Sequence, residues 1–199
     1  MKEIVPGILT WSWFSERHGY DFNGYLILLP GGNLAVDPVE MDEGVLEELA
    51  RAGAARILLT NRNHFRAAAK LKARTGARVA VHPADAEFVR KNGVAVDEEL
   101  SAGQKIGPFT VLDAHGKSPG EIALHWPERR LLIVGDVAVG KVPGALALLP
   151  PKVIEDLPAL QDSIRRLSQL DVDTVLVGDG ASIMQGGREA LRILSRSFP

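Results

Sequence analysis

Residues 57–66, Ile57-Leu58-Leu59-Thr60-Asn61-Arg62-Asn63-His64-Phe65-Arg66, pass from an unbroken apolar run into a string of amide, cationic and imidazole side chains. A short run of Ile and Leu bounded by polar residues is the pattern of a strand buried on both faces. The polar string behind it reads as a strand-end segment carrying reactive side-chain types. The alanines and Leu71 that follow predict a helix from His64 to Lys72, closed near Gly76. Strand, polar segment and helix make one α/β unit, and the flanking sequence extends it in both directions.

Upstream, Ile4 to Trp11 predicts a strand with an irregularity at Pro6-Gly7. Tyr25 to Leu29 and Leu34 to Val36 are apolar runs joined by the turn residues Pro30-Gly31-Gly32-Asn33, a hairpin that ends at Asp37-Pro38. Glu43 to Ala52 reads as a helix stopped by Gly53. Downstream, Val79 to Val81 is a strand and Pro83 opens a helix to about Lys91. Four short strands follow: Gly103 to Ile106, Phe109 to Leu112, Ile122 to Trp126 and Leu131 to Val134. Ala138 to Pro151 reads as a loop. Leu157, Leu160, Ile164 and Leu167 recur at helical spacing behind a plausible N-cap at Asp156; Thr174 to Val177 is a last buried strand before a final helix through Ser195. This order predicts an α/β fold of two mixed sheets with helices on the outer faces, in a single domain spanning 1–199.

Composition sets bounds on chemistry. The chain has 199 residues, 46% hydrophobic and 24% charged, with a formal net charge of -2. That balance is ordinary for a globular protein and supplies no concentrated basic patch, so neither a nucleic-acid nor a membrane partner is expected. There are no cysteines, which excludes disulfides and thiolate zinc sites and leaves His, Asp and Glu as metal ligands. Met1-Lys2-Glu3-Ile4-Val5-Pro6 is too poor in apolar residues for a signal peptide, and no apolar run is long enough to cross a bilayer; a cytoplasmic location is the resulting expectation.

Several segments resemble one family in order and spacing. Asn23-Gly24-Tyr25-Leu26-Ile27 and Leu34-Ala35-Val36-Asp37 resemble the opening strands of the metallo-β-lactamase superfamily and the Asp that ends them. His82-Pro83-Ala84-Asp85 resembles another of its segments. Gly116-Lys117-Ser118-Pro119-Gly120 resembles its Gly-His-Ser-Pro-Gly, Leu131 to Asp136 its strand ending in Gly-Asp, and Val175 to Gly180 its strand ending in Gly-His-Gly. The resemblance implies an αββα sandwich of two mixed β-sheets flanked by helices. It also implies a metal centre at the strand ends, and there the sequence departs from the pattern. Where the family carries Thr-His-x-His-x-Asp-His, this chain has Asn61 and Asn63 for the first two histidines, Phe65 for the aspartate and Arg66 for the last histidine, with His64 on a position the family leaves free. Lys117 and Asp179 stand where two further histidines belong, and only Asp136 keeps the family's residue type.

An amide is a weak zinc ligand, a phenyl ring is none, and a fixed cation opposes a divalent ion. Two unit charges about 4 Å apart interact by about 4 kcal/mol at an effective dielectric near 20, and a divalent metal doubles it. The expectation is therefore a degenerate member without the two-zinc centre and with no cofactor. Its polar pocket of Asn61, Arg62, Asn63, His64, Arg66, Lys117, Asp136 and Asp179 would hold a small anionic molecule, the buried cations pairing with carboxylates. Two alternatives stand beside it. One is a hydrolase with a mononuclear zinc held by His64, His115, Asp136 and Asp179. The other is an inert interaction module, with Trp11 and Trp13 beside Phe14 as a homodimer or partner surface.

Overall fold

The computed structural model describes residues 1–198, and the chain divides into two compact units, Met1–Leu100 and the residues from Ser101 onward. In the first unit a seven-stranded sheet follows chain order: β1 (Lys2–Val5), β2 (Ile8–Ser15), β3 (Tyr20–Ile27), β4 (Asn33–Val36), β5 (Ala54–Leu58), β6 (Arg78–Val81) and β7 (Glu98–Glu99). The strands up to β4 pair antiparallel, and those from β4 onward pair parallel. Parallel neighbours need crossovers, which are supplied by α1 (Glu43–Ala52), α2 (Ala68–Thr75) and α3 (Pro83–Lys91). Helix α1 starts where the Asp42 side chain accepts the Val45 amide at 2.8 Å and stops at Gly53, whose φ of 74° lets its N–H turn back to the Leu49 carbonyl.

The helices cover one face of this sheet through Leu46, Leu49, Leu71 and Val89, which pack with Trp11, Leu26, Ile57 and Val79. Each aliphatic side chain so buried contributes about 1.5–3 kcal/mol relative to exposure. Trp11 requires a glycine opposite it: a Cβ at Gly24 would lie 2.5 Å from the indole ring.

In the second unit β14 (Thr174–Leu176), β11 (Leu131–Ile133), β10 (Ile122–Trp126), β9 (Phe109–Asp113) and β8 (Lys105–Ile106) form a five-stranded sheet in that order, antiparallel except for the β11–β14 pair. Helices α4 (Leu157–Leu167) and α5 (Gly187–Arg196) bury Leu160, Ile164, Leu191 and Leu194 with Leu132, Val134 and Val175. Asp156 caps α4 by accepting the Ala159 amide at 2.9 Å, as its position before the apolar stripe predicts.

Three local expectations are corrected. Ala138 to Pro151 is not a loop throughout: β12 (Val139–Val142) and β13 (Ala145–Ala147) pair as a hairpin about Pro143-Gly144, too short to show an alternating pattern. The helix expected from His64 begins at Ala68, because residues 62–65 form a 3-10 turn in which His64 leaves helical dihedrals. The strand expected from Tyr25 begins at Tyr20 and projects as a long hairpin with β2. Among the described residues, no helix is long and apolar enough to cross a membrane.

Candidate functional site

In the first unit the polar residues gather around Asp37, the residue after β4. Its backbone has a left-handed φ of 49°, an arrangement that costs a non-glycine residue about 1–3 kcal/mol and needs compensation. The compensation is local. Asp37 Oδ1 accepts the Thr60 amide at 2.8 Å, Oδ2 accepts the Thr60 hydroxyl at 2.6 Å, and His64 Nδ1 lies 2.9 Å from Oδ2. Asp37, Thr60 and His64 are all buried, so these contacts act where water does not compete.

Asn61, also buried, caps the following turn by accepting the Asn63 amide on Oδ1 at 2.8 Å, while Asn63 itself is exposed. The Arg62 amide donates to Asp85 Oδ2 at 2.9 Å, and its guanidinium lies 5.1 Å from the Phe88 ring centroid. Phe65, where the family pattern has an aspartate, packs edge-on to Phe88 and against the helix-covered core. Arg66 does not join the carboxylate network expected of it. Its guanidinium lies 4.0 Å from the Phe22 ring centroid, and it has no ion-pair partner among the described residues. A planar guanidinium stacks on an aromatic face at little desolvation cost, which is why the ring competes with a carboxylate.

In the second unit Lys117 lies in the β9–β10 turn. Gly116 precedes it at φ 140°, against α4: a Cβ there would lie 2.3 Å from the Leu160 amide nitrogen. The Lys117 ammonium is 2.7 Å from Asp136 Oδ2, and both side chains are 5% exposed. Burial alone would push the lysine pKa down. The carboxylates of Asp136, Glu121 and Asp179 outweigh it and hold the ammonium above the ordinary lysine value. Glu121 is the member of this cluster that the sequence reading missed. It is buried, and its Oε1 accepts the Asp136 amide at 3.0 Å, fixing the backbone that presents the Asp136 carboxylate. An acidic residue directly before the apolar strand 122–126 was the available signal, since an unpaired glutamate is rarely fully buried. Asp179, just beyond β14, is buried as well, and its carbonyl accepts the Gly140 amide at 2.8 Å.

His115, a candidate ligand in the alternative reading, has a local partner of its own. It is half-buried, with Nδ1 2.8 Å from Asp113 Oδ1, and Arg166 pairs with the same aspartate at 3.0 Å. Trp11 is not part of an exposed surface: it is buried, and its Nε1 donates to the Val39 carbonyl at 3.2 Å. Trp13 and Phe14 are exposed, at 48% and 57%. His82 caps α3, and His18 sits 2.7 Å from the Ser15 hydroxyl on the surface, so both have local roles.

The site architecture and the fold define a class. The chain belongs to the metallo-beta-lactamase superfamily, whose family model matches residues 1–198. It has the α/β fold of mixed sheets flanked by helices that its structural neighbours share. A hydroxyacylglutathione hydrolase of Cereibacter sphaeroides is 32% identical over 126 residues, which are 61% of this chain and 46% of that protein. The chain thus spans less than half the length of this curated relative. Among solved structures, TTHA1623 in a di-iron-bound form is 26% identical, with a TM-score of 0.67 over 85% of this chain and 92% of its own. A metallo-beta-lactamase from Pontibacter korlensis shares the fold at 16% identity, with a TM-score of 0.79 over 99% and 98% of the two chains.

The metals that the superfamily implies can be tested against the residues present. Around Asp136 the donors in the second unit are carboxylates, which can ligate a metal, with a cation beside them. Asp136 Oδ2 is in contact with the Lys117 ammonium, and Lys117 stands at the motif position that the superfamily resemblance gives to histidine.

Proposed function

We propose that this chain is a degenerate member of the superfamily, in which the Lys117 ammonium has replaced metal as the partner of Asp136 and two-zinc hydrolysis is absent. The observation that carries this reading is the 2.7 Å Lys117–Asp136 contact between two almost fully buried side chains. A lysine held above its ordinary pKa stays charged at neutral pH, and a fixed charge beside the carboxylate opposes a divalent ion. With Lys117 matched by carboxylates, Arg66 of the first unit, stacked on Phe22 and without an ion-pair partner among the described residues, is the cation that supports a small anionic ligand. Calorimetric titration with zinc tests the reading: the wild-type chain should show no saturable uptake near one or two ions, and Lys117→His should gain affinity. Tight stoichiometric uptake by the wild type would contradict it.

A specific observation favours a second reading, a mononuclear metal-dependent hydrolase with His64 as its imidazole ligand. A carboxylate at the Nδ1 of a buried histidine, as Asp37 is to His64, is the support that metal-bound imidazoles use to fix tautomer and orientation. One relative is by name a hydrolase and another was solved with two irons bound, which supports hydrolysis and metal binding but not the count of one ion. Under this reading the wild type takes up one metal and His64→Ala loses it.

A further inference from the structure

Along α5, Arg188, Arg192 and Arg196 recur four residues apart and share one face of the helix. Like charges at this spacing repel, and among the described residues only Arg196 of the three has a carboxylate partner, Glu189 at 3.4 Å. Arg192 has no ion-pair or hydrogen-bond partner among the described residues. It lines a cavity of about 370 Å³ together with Arg196, Ser195, Ser168 and Gln169.

The other basic residues nearby are matched: Arg165 by Asp162 at 2.7 Å and Arg166 by Asp113 at 3.0 Å. The end of α4 would ordinarily repel an anion through its free carbonyls. Here they are occupied. The Ile164, Arg166 and Leu167 carbonyls accept the Ser168, Gln169 and Leu170 amides, the Arg165 carbonyl accepts the Ser168 hydroxyl, and the Gln169 carbonyl accepts Arg188. Arg188 thus serves the fold at this end. Arg192, and Arg196 beside its contact with Glu189, line with a neighbouring hydroxyl a cavity at the small end of ligand-sized volumes.

We propose that this α4–α5 cavity binds a small phosphate-bearing anion, held by Arg192 and Arg196 with the Ser195 hydroxyl as an additional donor. Planar guanidinium forks match phosphate oxygens two at a time, and hydroxyls add neutral donors without further charge repulsion. The site lies wholly within the second unit and shares no residue with the Lys117 cluster.

The test is calorimetric titration of the full chain with inorganic pyrophosphate, with sodium chloride at matched ionic strength as the blank. Saturable binding is expected. Arg192→Gln should weaken it at least about tenfold, through the loss of a charge-assisted hydrogen bond. The Arg192→Gln/Arg196→Gln double variant should abolish it, and Arg17→Gln, a charge-matched change on the first unit, should leave it unchanged. Absence of saturable binding, equal heats with chloride, or equal affinity in the double variant would overturn the proposal.

Discussion

Both units bury a polar cluster built around an aspartate, and the two clusters differ in what they keep. In the first, Asp37 accepts two hydrogen bonds from Thr60 and contacts His64, so its carboxylate stabilises a strained backbone and a strand-end turn. In the second, Asp136 is held from behind by Glu121 and faced by the Lys117 ammonium. The first cluster works through hydrogen bonds whose geometry the fold needs with or without a metal. The second works through charge compensation, and a lysine in a motif position that the superfamily resemblance gives to histidine changes what can be compensated. The two aspartates thus differ in what satisfies them: hydrogen-bond donors of the strand-end turn in one, a buried cation in the other.

The sharpest way to break this comparison is to remove the ammonium. Lys117→Met leaves buried carboxylates without their cation and should cost about 3–5 kcal/mol in urea unfolding, with Lys117→Met/Asp136→Leu recovering part of the loss. A single-variant cost below about 1 kcal/mol would mean that the pair does not organise the second cluster. In the first cluster, Thr60→Val keeps the shape but leaves Asp37 short of a hydrogen bond. It should cost about 1–3 kcal/mol by the same measurement, less than the loss of the lysine.

The two units should also part with pH, by smaller amounts. His125, in the second unit, has a pKa held below the usual histidine value by burial and by Lys105. Its folded form resists protonation, so stability should fall as pH drops below about 6.5, where the unfolded chain takes up the proton first. His125→Gln should flatten that part of the stability curve, and an unchanged slope would remove His125 as its cause. Asp97, in the first unit, is held below the usual carboxylate value by its hydrogen bond from Lys72 and by the Val79 amide. Its contribution is present above about pH 3.9 and is lost as pH falls through the lower folded value. Asp97→Asn should therefore remove a small stability difference between neutral pH and pH ~3.

Much of the fold was legible because the decisive strands are apolar runs of three or four residues bounded by polar residues or glycine, as at 57–59, 131–134 and 175–177. The Lys117–Asp136 pairing was legible too, because both residues stand in motifs whose order implied that they meet. Arg66 was misread for a physical reason. Its stacking partner Phe22 lies on a strand extension, Tyr20-Asp21-Phe22-Asn23-Gly24, whose Asp, Asn and Gly are depleted in strands, so nothing in the sequence placed that ring opposite the guanidinium. His115 was a candidate ligand in the alternative reading because it lies beside the expected ligand position, whereas its imidazole contacts Asp113, which also pairs with Arg166.

Metal content per chain is the most direct test of the central claim. It would be measured by elemental analysis after purification without chelators and repeated after incubation with zinc and with manganese. A degenerate centre with Lys117 in the place of metal predicts far less than one ion per chain in every preparation. One or two ions per chain, retained through gel filtration, would contradict it, and loss of that metal in His64→Ala would establish the mononuclear reading instead.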